Sequence, residues 1–417
     1  MKLTFKIRGS LLSVAIAGAW VGQAGAADVL IQNATVHTAS SAGTLTDTDV
    51  LIHNGRIAAI GKDLVAANAE IVDAKGKPLS PGLFGGVNAL GIEDVSLEIG
   101  TVDSAYTPSA TVPAGEQEYR PEFNVADAYN PESVVIPVQR VEGVTFDVVA
   151  PNSLPGGTLF SGLGGAALLD GRSQFLSNSE TLFIAFGTGA SPLTGNSRAA
   201  QLMLLREAFV EAKAPAVTDN GLLTAQGRAT LRRYADGGRV AFNVNRAIDI
   251  SRVLDFAKTQ GIKPVIIGGI ESWQLRDRLA AEKVTVVLDP LVNLPNDFDS
   301  LGASLETANW LNQAGVPLAF YLSGDAAHNA RKVRQAAGNA VAHGLDWQAG
   351  LRAITSVPAR TFGITDRGEI AVGQFADLVL WTGDPLEVTT LAETVWIEGK
   401  AQSPRTHQTE LRDRYKR

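Results

Sequence analysis

Ser323, Asp325 and His328 place the three side-chain types of a nucleophilic triad within a few residues. Triads are assembled in space from separate segments, and no G-x-S-x-G turn occurs to expose a serine, so this proximity alone does not make a serine hydrolase. Arg246 closes a second group, following Asn243 and Asn245 at the end of the apolar run Val240–Val244. A guanidinium there can clamp a carboxylate bidentately, as in peptide-like or cyclic-amide ligands, or it can close a structural salt bridge. Glu93, Asp94, Glu98 and Asp103 gather four carboxylates in one short stretch. Their spacing lacks the alternation of an EF-type loop, so a solvated acidic loop is expected rather than a calcium site. Gly162-Leu163-Gly164-Gly165-Ala166-Ala167 spells a dinucleotide pattern, but Gly171 follows too soon for a helix that could receive a pyrophosphate. A tight Gly-rich loop is expected there, and no P-loop motif occurs.

Composition narrows the chemistry further. The chain has no cysteine, which removes thiolate catalysis, Cys-ligated zinc, iron–sulfur clusters and disulfides together. Its 43 acidic against 36 basic residues give a net charge of −7, which argues against a nucleic-acid partner. With 417 residues, 45% hydrophobic and 19% charged, it has the makings of a large core plus a smaller second unit.

The elements that must position these residues are legible in the hydrophobic pattern. Residues 1–26 read as a secretory signal peptide: Lys2, Lys6 and Arg8 precede the apolar run Leu11–Val21, and Ala24-Gly25-Ala26 offers a cleavage site. An exported, periplasmic protein is expected, and no later stretch is long and apolar enough to span a membrane. Residues 27–81 alternate short apolar runs with turns, Asn54-Gly55 being a strong hairpin signal. The same texture returns over 363–401, and two such ends are expected to pair into one small β-sandwich. Residues 82–362 alternate strand-like and helical stretches, with strands near Val240–Val244, Pro264–Ile267 and Val284–Leu288 and helices near Ile248–Thr259 and Glu271–Ala281. That pattern and size predict an α/β unit, a (β/α)8 TIM barrel. Segment 92–132 reads as an insertion over the barrel mouth, and 402–417 as a polar, frayed tail. Of the five histidines, only His328 and His343 fall in the barrel, and His343, beside Gly344, is expected to end a helix.

Two stretches are similar to the amidohydrolase superfamily, in its imidazolonepropionase-like and peptidase-like branch. Ile71-Val72-Asp73-Ala74-Lys75-Gly76-Lys77-Pro78-Leu79-Ser80-Pro81-Gly82-Leu83 resembles the family's lead into its first barrel strand. Ser356-Val357-Pro358-Ala359-Arg360-Thr361-Phe362-Gly363, continuing through Gly368 to Ala376-Asp377-Leu378-Val379, resembles its exit from the barrel. The resemblance implies a barrel carrying a small β-sandwich made from both chain ends, and hydrolysis of C–N bonds in amides, cyclic amides or peptide derivatives.

The family uses zinc or another divalent metal, held by a His-x-His pair on the first strand. Here Val87 and Ala89 stand at the matching places, and Asn243 and Asn245 stand where relatives carry a further His-x-His. Hydrocarbon side chains coordinate nothing, and a carboxamide binds zinc weakly, so no metal or other cofactor is expected. The resemblance assigns Asp325 the role of general base toward the attacking water; its plainer reading is an N-cap of the helix that follows. Substrate contacts are expected from Asn88, Asn243, Asn245, Arg246 and His328. The readings that follow are a hydrolase with reduced or lost metal-dependent catalysis, a binding or assembly subunit pairing with itself or a competent relative, and a metal-free hydrolase using Asp325.

Overall fold

The computed structural model describes residues 28–107, 119–215, 221–324 and 326–416. Residues 1–26, read above as a signal peptide, and the aspartate at position 325 lie outside the described residues.

The N-terminal alternation folds into paired strands. β1 (Val29–His37) runs antiparallel to β2 (Thr44–His53), which turns through Asn54-Gly55 into β3 (Arg56–Gly61). Both turn residues have positive φ, 50° and 77°, the twist that a two-residue hairpin needs and that Asn and Gly tolerate. β4 (Glu70–Asp73) and β5 (Pro78–Pro81) lie parallel to the two halves of β1.

Eight strands then form the barrel sheet: β6 (Leu83–Asn88), β7 (Val144–Val149), β8 (Phe160–Leu168), β9 (Thr181–Ala185), β10 (Arg239–Val244), β11 (Lys263–Gly268), β12 (Val286–Leu288) and β13 (Leu318–Phe320). They pair in chain order from β6 to β13, a nearly closed barrel. One buried cluster draws on all eight, with Phe84, Phe146, Leu168, Phe183, Ala241, Ile267, Val287 and Ala319 filling the barrel. The alternate residues, such as Leu182, Phe242, Ile266 and Phe320, pack outward against the helices. The helix expected near 248–259 spans Ala247–Gln260, whereas that near 271–281 splits into a 3-10 turn, Ser272–Leu275, and a short α-helix, Arg276–Ala281.

Two expectations need correction. The barrel is not uniformly (β/α)8, because β8 runs antiparallel to both β7 and β9 and the other strands alone are parallel. The Gly-rich stretch 162–167, expected as a tight loop, is the centre of that reversed strand. Its glycines make room: a Cβ on Gly164 would stand 2.2 Å from the Val149 carbonyl oxygen, and one on Gly162 2.5 Å from that of Phe123. Close backbone approach is a strand role of glycine that composition alone reads as a turn.

After the barrel, β14 (Leu378–Trp381) pairs with β5, β15 (Ala392–Ile397) with β14, and β16 (Lys400–Ala401) with β15. Both chain ends therefore meet in one hydrogen-bonded sheet. Trp381, fully buried, ties them by donating Nε1–H to Ser80 Oγ at 2.8 Å. His343 caps the helix Val333–Ala342 as expected. The tail does not fray: His407–Tyr415 form an exposed, polar helix opened by a Thr406/Thr409 capping box.

Candidate functional site

Strand C-termini, where this fold assembles its sites, surround a cavity of about 720 Å3. Asn88 comes from the end of β6, Ala150 from just beyond β7, Asn243 and Asn245 from the end of β10, and Tyr321 and Ser323 from just after β13. Because β8 is reversed, its starting end reaches the same mouth and contributes Ser161. Glu93, Ser96, Val102 and Ser104 line the cavity too, so the described part of the 92–132 insertion does reach the barrel mouth.

Val87 and Ala89, the positions that the resemblance assigns to histidines, lie in this wall as buried hydrocarbon. Among the described residues no group of three His, Cys, Asp or Glu side chains is placed to hold a metal ion. Of the acidic stretch, Glu98 caps the 3-10 turn Ile99–Thr101 and Asp94 accepts from Ser133 Oγ, both local structural tasks.

The polar wall is held from behind. Asn88 donates Nδ2–H to Asp147 Oδ2 at 2.8 Å, and its Oδ1 accepts the Leu90 amide at 2.8 Å. Asp147 is completely buried on β7, and desolvation pushes its carboxyl well above the usual range despite the bonds from Asn88 and the Val148 amide. Ser323 donates both its amide (2.9 Å) and its hydroxyl (2.6 Å) to Oδ2 of the buried Asp289, just beyond β12. Asp299, also in the wall, accepts the Thr188 amide at 2.7 Å and pairs with Arg198. Burial would raise this carboxyl, but the Thr188 bonds and the guanidinium outweigh it and hold it below the usual range. Asn243 stands exposed in the cavity, whereas Asn245 Oδ1 is shielded against Gly268 and has no hydrogen-bond donor among the described residues.

The structure therefore brings Asn88, Asn243 and Asn245 together and leaves Arg246 and His328 outside the wall. Arg246 turns onto Asp249 in the helix it precedes, Nε at 2.9 Å and Nη2 at 3.0 Å, so the salt-bridge alternative describes it. The same buried Asp249 accepts Arg198 Nε at 2.9 Å. His328 sits in the short helix Ala326–Asn329, its carbonyl accepting from Arg331. Sequence reasoning missed Asp147, Asp289, Asp299 and Arg198. Asp289 had a signal, since it directly follows the apolar run Val284–Leu288; the others become visible only once their partners are placed.

With this geometry in hand, the comparisons with known proteins fall into place. Residues 328–401 match the model of an amidohydrolase family. The amidohydrolase tasK of Hapsidospora irregularis is 40% identical over 84 residues, 20% of this chain and 9% of that protein. The dihydroorotase of Bacillus cytotoxicus is 49% identical over 41 residues, 10% of each chain. The matches thus span about a tenth of the length of these curated relatives. The fold likeness extends much further: the crystal structure of an amidohydrolase from Thermotoga maritima superposes with a TM-score of 0.77 at 23% identity, over 90% of this chain and all of that one. The superfamily resemblance read from the sequence is borne out by the family match near the C-terminus and by the fold.

Proposed function

We propose that this amidohydrolase-superfamily chain is an exported protein that keeps the barrel-mouth cavity of a C–N hydrolase for a small amide or peptide-derived ligand, with its metal-dependent catalysis reduced or lost. One observation carries this reading: Val87 and Ala89 line the same cavity as Asn243 and Asn245, so hydrocarbon and neutral carboxamide stand at the four places that the resemblance assigns to imidazoles.

The chemistry follows from the donor types. A bound divalent metal would polarise the scissile carbonyl and lower the pKa of its water from about 15.7 to about 7, and neither hydrocarbon nor a neutral amide does either. Carboxamides do pair with amides, each offering an N–H to a carbonyl and a carbonyl to an N–H. The exposed Asn243 is the residue placed to do so, with Asn88 and Asn245 shaping the wall beside it. Hydrolysis then falls to another chain, among them a competent relative paired with this one.

Elemental analysis of protein purified from the periplasm without tags or chelators, joined to calorimetric titration with dipeptide amides and cyclic amides, tests the proposal. Metal well below stoichiometric and a saturable amide isotherm abolished by Asn243→Leu are expected. About one zinc per chain, held in the barrel of an active hydrolase, overturns it. Hydrolysis without metal that Asp325→Asn eliminates would make the chain a metal-free enzyme with that carboxylate as base.

A further inference from the structure

Several donors of the mouth-cavity wall are already engaged, and an exposed carboxylate stands among its acceptors. Asn88 gives an Nδ2–H to Asp147, Ser323 gives its hydroxyl to Asp289, and Ser153 gives its own to the Thr158 carbonyl. On the acceptor side, Asp297 lines the cavity as an exposed carboxylate, its Oδ1 taken by the Asp299 amide and Ser300 Oγ. Asn245 Oδ1, buried against Gly268, is an acceptor with no donor among the described residues.

Charge points the same way. No Lys, Arg or His is among the described residues that line the cavity. Behind the wall, Arg198 pairs with Asp249 and Asp299, and Arg246 and Arg252 share the same Asp249. The internal stretches 108–118 and 216–220 and position 325 contain no Lys, Arg or His either. A carboxylate entering this mouth would shed water and meet carboxylates with no counter-charge, a desolvation cost with nothing to offset it. An ammonium group would meet acceptors.

We propose that the ligand of this mouth is a small N–H-rich cation, an amide carrying a primary ammonium or amidinium group, and that carboxylate-bearing amides are turned away. The inference rests on the amide-binding reading above and adds to it the charge of the ligand.

Three capped amides of similar reach separate the two: N-acetyl-lysinamide, N-acetyl-norleucinamide and the α-amide of N-acetyl-glutamic acid, each titrated into the full chain at low ionic strength. The lysine derivative is expected to bind about tenfold more tightly than the carboxylate derivative, with the gap closing as salt screens the pair. Asp297→Asn preserves the acceptor that the Asp299 amide and Ser300 hydroxyl use, so it should fold and narrow that gap severalfold. Equal or tighter binding of the carboxylate derivative overturns the inference while leaving the amide-binding reading intact. A lysine preference untouched by Asp297→Asn overturns it as well. If a folded chain binds none of the three amides, the amide-binding reading itself falls, and the charge preference with it.

Discussion

Asp147 Oδ2 accepts the Nδ2–H of Asn88 at 2.8 Å, joining a fully buried carboxyl to the wall of the mouth cavity. The bond fixes which way the Asn88 carboxamide faces, and desolvation raises the Asp147 pKa well above its ordinary value. In the unfolded chain this carboxyl releases its proton near pH 3.9, about the value of a free aspartate. Between that pH and the raised native value the folded state holds a proton that the unfolded state has lost. Its contribution to stability is therefore complete at acid pH and falls as the pH climbs toward the native value. Asp147→Asn keeps one oxygen, for Asn88 or for the Val148 amide but not both, a cost that does not depend on pH, and it never ionises. Urea unfolding from about pH 4 to about pH 8 should show the variant gaining on the wild type as pH rises. A difference that stays flat across this range would mean that Asp147 does not titrate between the two states.

A second prediction concerns the junction between the end sheet and the barrel. Arg367, almost wholly buried, pairs through Nη1 with Asp377 Oδ2 at 2.7 Å and through Nη2 with Glu398 Oε1 at 3.1 Å. Asp377 also accepts the Glu398 amide at 2.7 Å, so it braces the approach to β14 against the turn after β15. Asp377→Ala leaves the guanidinium with two partly exposed partners, Glu398 and, at 3.5 Å, Asp366, and should cost about 3 kcal/mol, the low end for breaking a buried pair. The midpoint of denaturant unfolding measures this, and an unchanged midpoint would show that water already serves Arg367.

Asn243 separates binding from folding. It is exposed in the cavity at the end of β10, and its neighbours Phe242 and Val244 hold the strand by packing outward. Asn243→Leu should move stability by no more than about 0.5 kcal/mol while lowering amide affinity at least about tenfold, since a leucine meets the ligand's polar groups with hydrocarbon. Paired thermal unfolding and calorimetry read the two effects, and equal affinity in the variant would place the ligand elsewhere.

The fold was far more legible in the sequence than the site. Strand runs such as Val240–Val244 and the Asn54-Gly55 hairpin announce themselves through local periodicity and turn chemistry, and the structure has them in place. The reversed β8 was hidden because its alanines and glycines are chosen for close backbone approach, which carries no periodic signal. Asn243 and Asn245 were found because they stand where the resemblance places a further His-x-His, and Asn88 because it lies between Val87 and Ala89 at the first such pair. Arg246 was placed in the site by the same logic, but a side chain that long chooses among partners, and Asp249 one turn onward was the nearer carboxylate. The buried carboxylates of Asp147 and Asp299 have no motif, since each is defined by a partner distant in sequence, whereas Asp289 ends the apolar run Val284–Leu288.

Gly268 supplies the most local test of the wall. It ends β11 with φ at +85°, and an ideal Cβ there would lie 2.2 Å from Asn245 Oδ1 and 3.6 Å from Asn243 Oδ1. Two separate costs therefore attach to Gly268→Ala. The left-handed backbone is unfavourable for an L side chain by about 1–2 kcal/mol, whatever the space around it. The methyl also collides with the Asn245 carboxamide, whose side chain must swing away and change the cavity wall. The two costs can be told apart, because Asn245→Ala removes the collision and leaves the backbone term. In a double-mutant cycle, Gly268→Ala should cost less in the Asn245→Ala background than in the wild type, by about 1 kcal/mol of coupling. Amide affinity should fall in Gly268→Ala alone to about the level of Asn245→Ala, with no further loss in the double variant. Strict additivity in both measurements would show that Gly268 answers only to its own backbone and that the Asn245 carboxamide is not held by it.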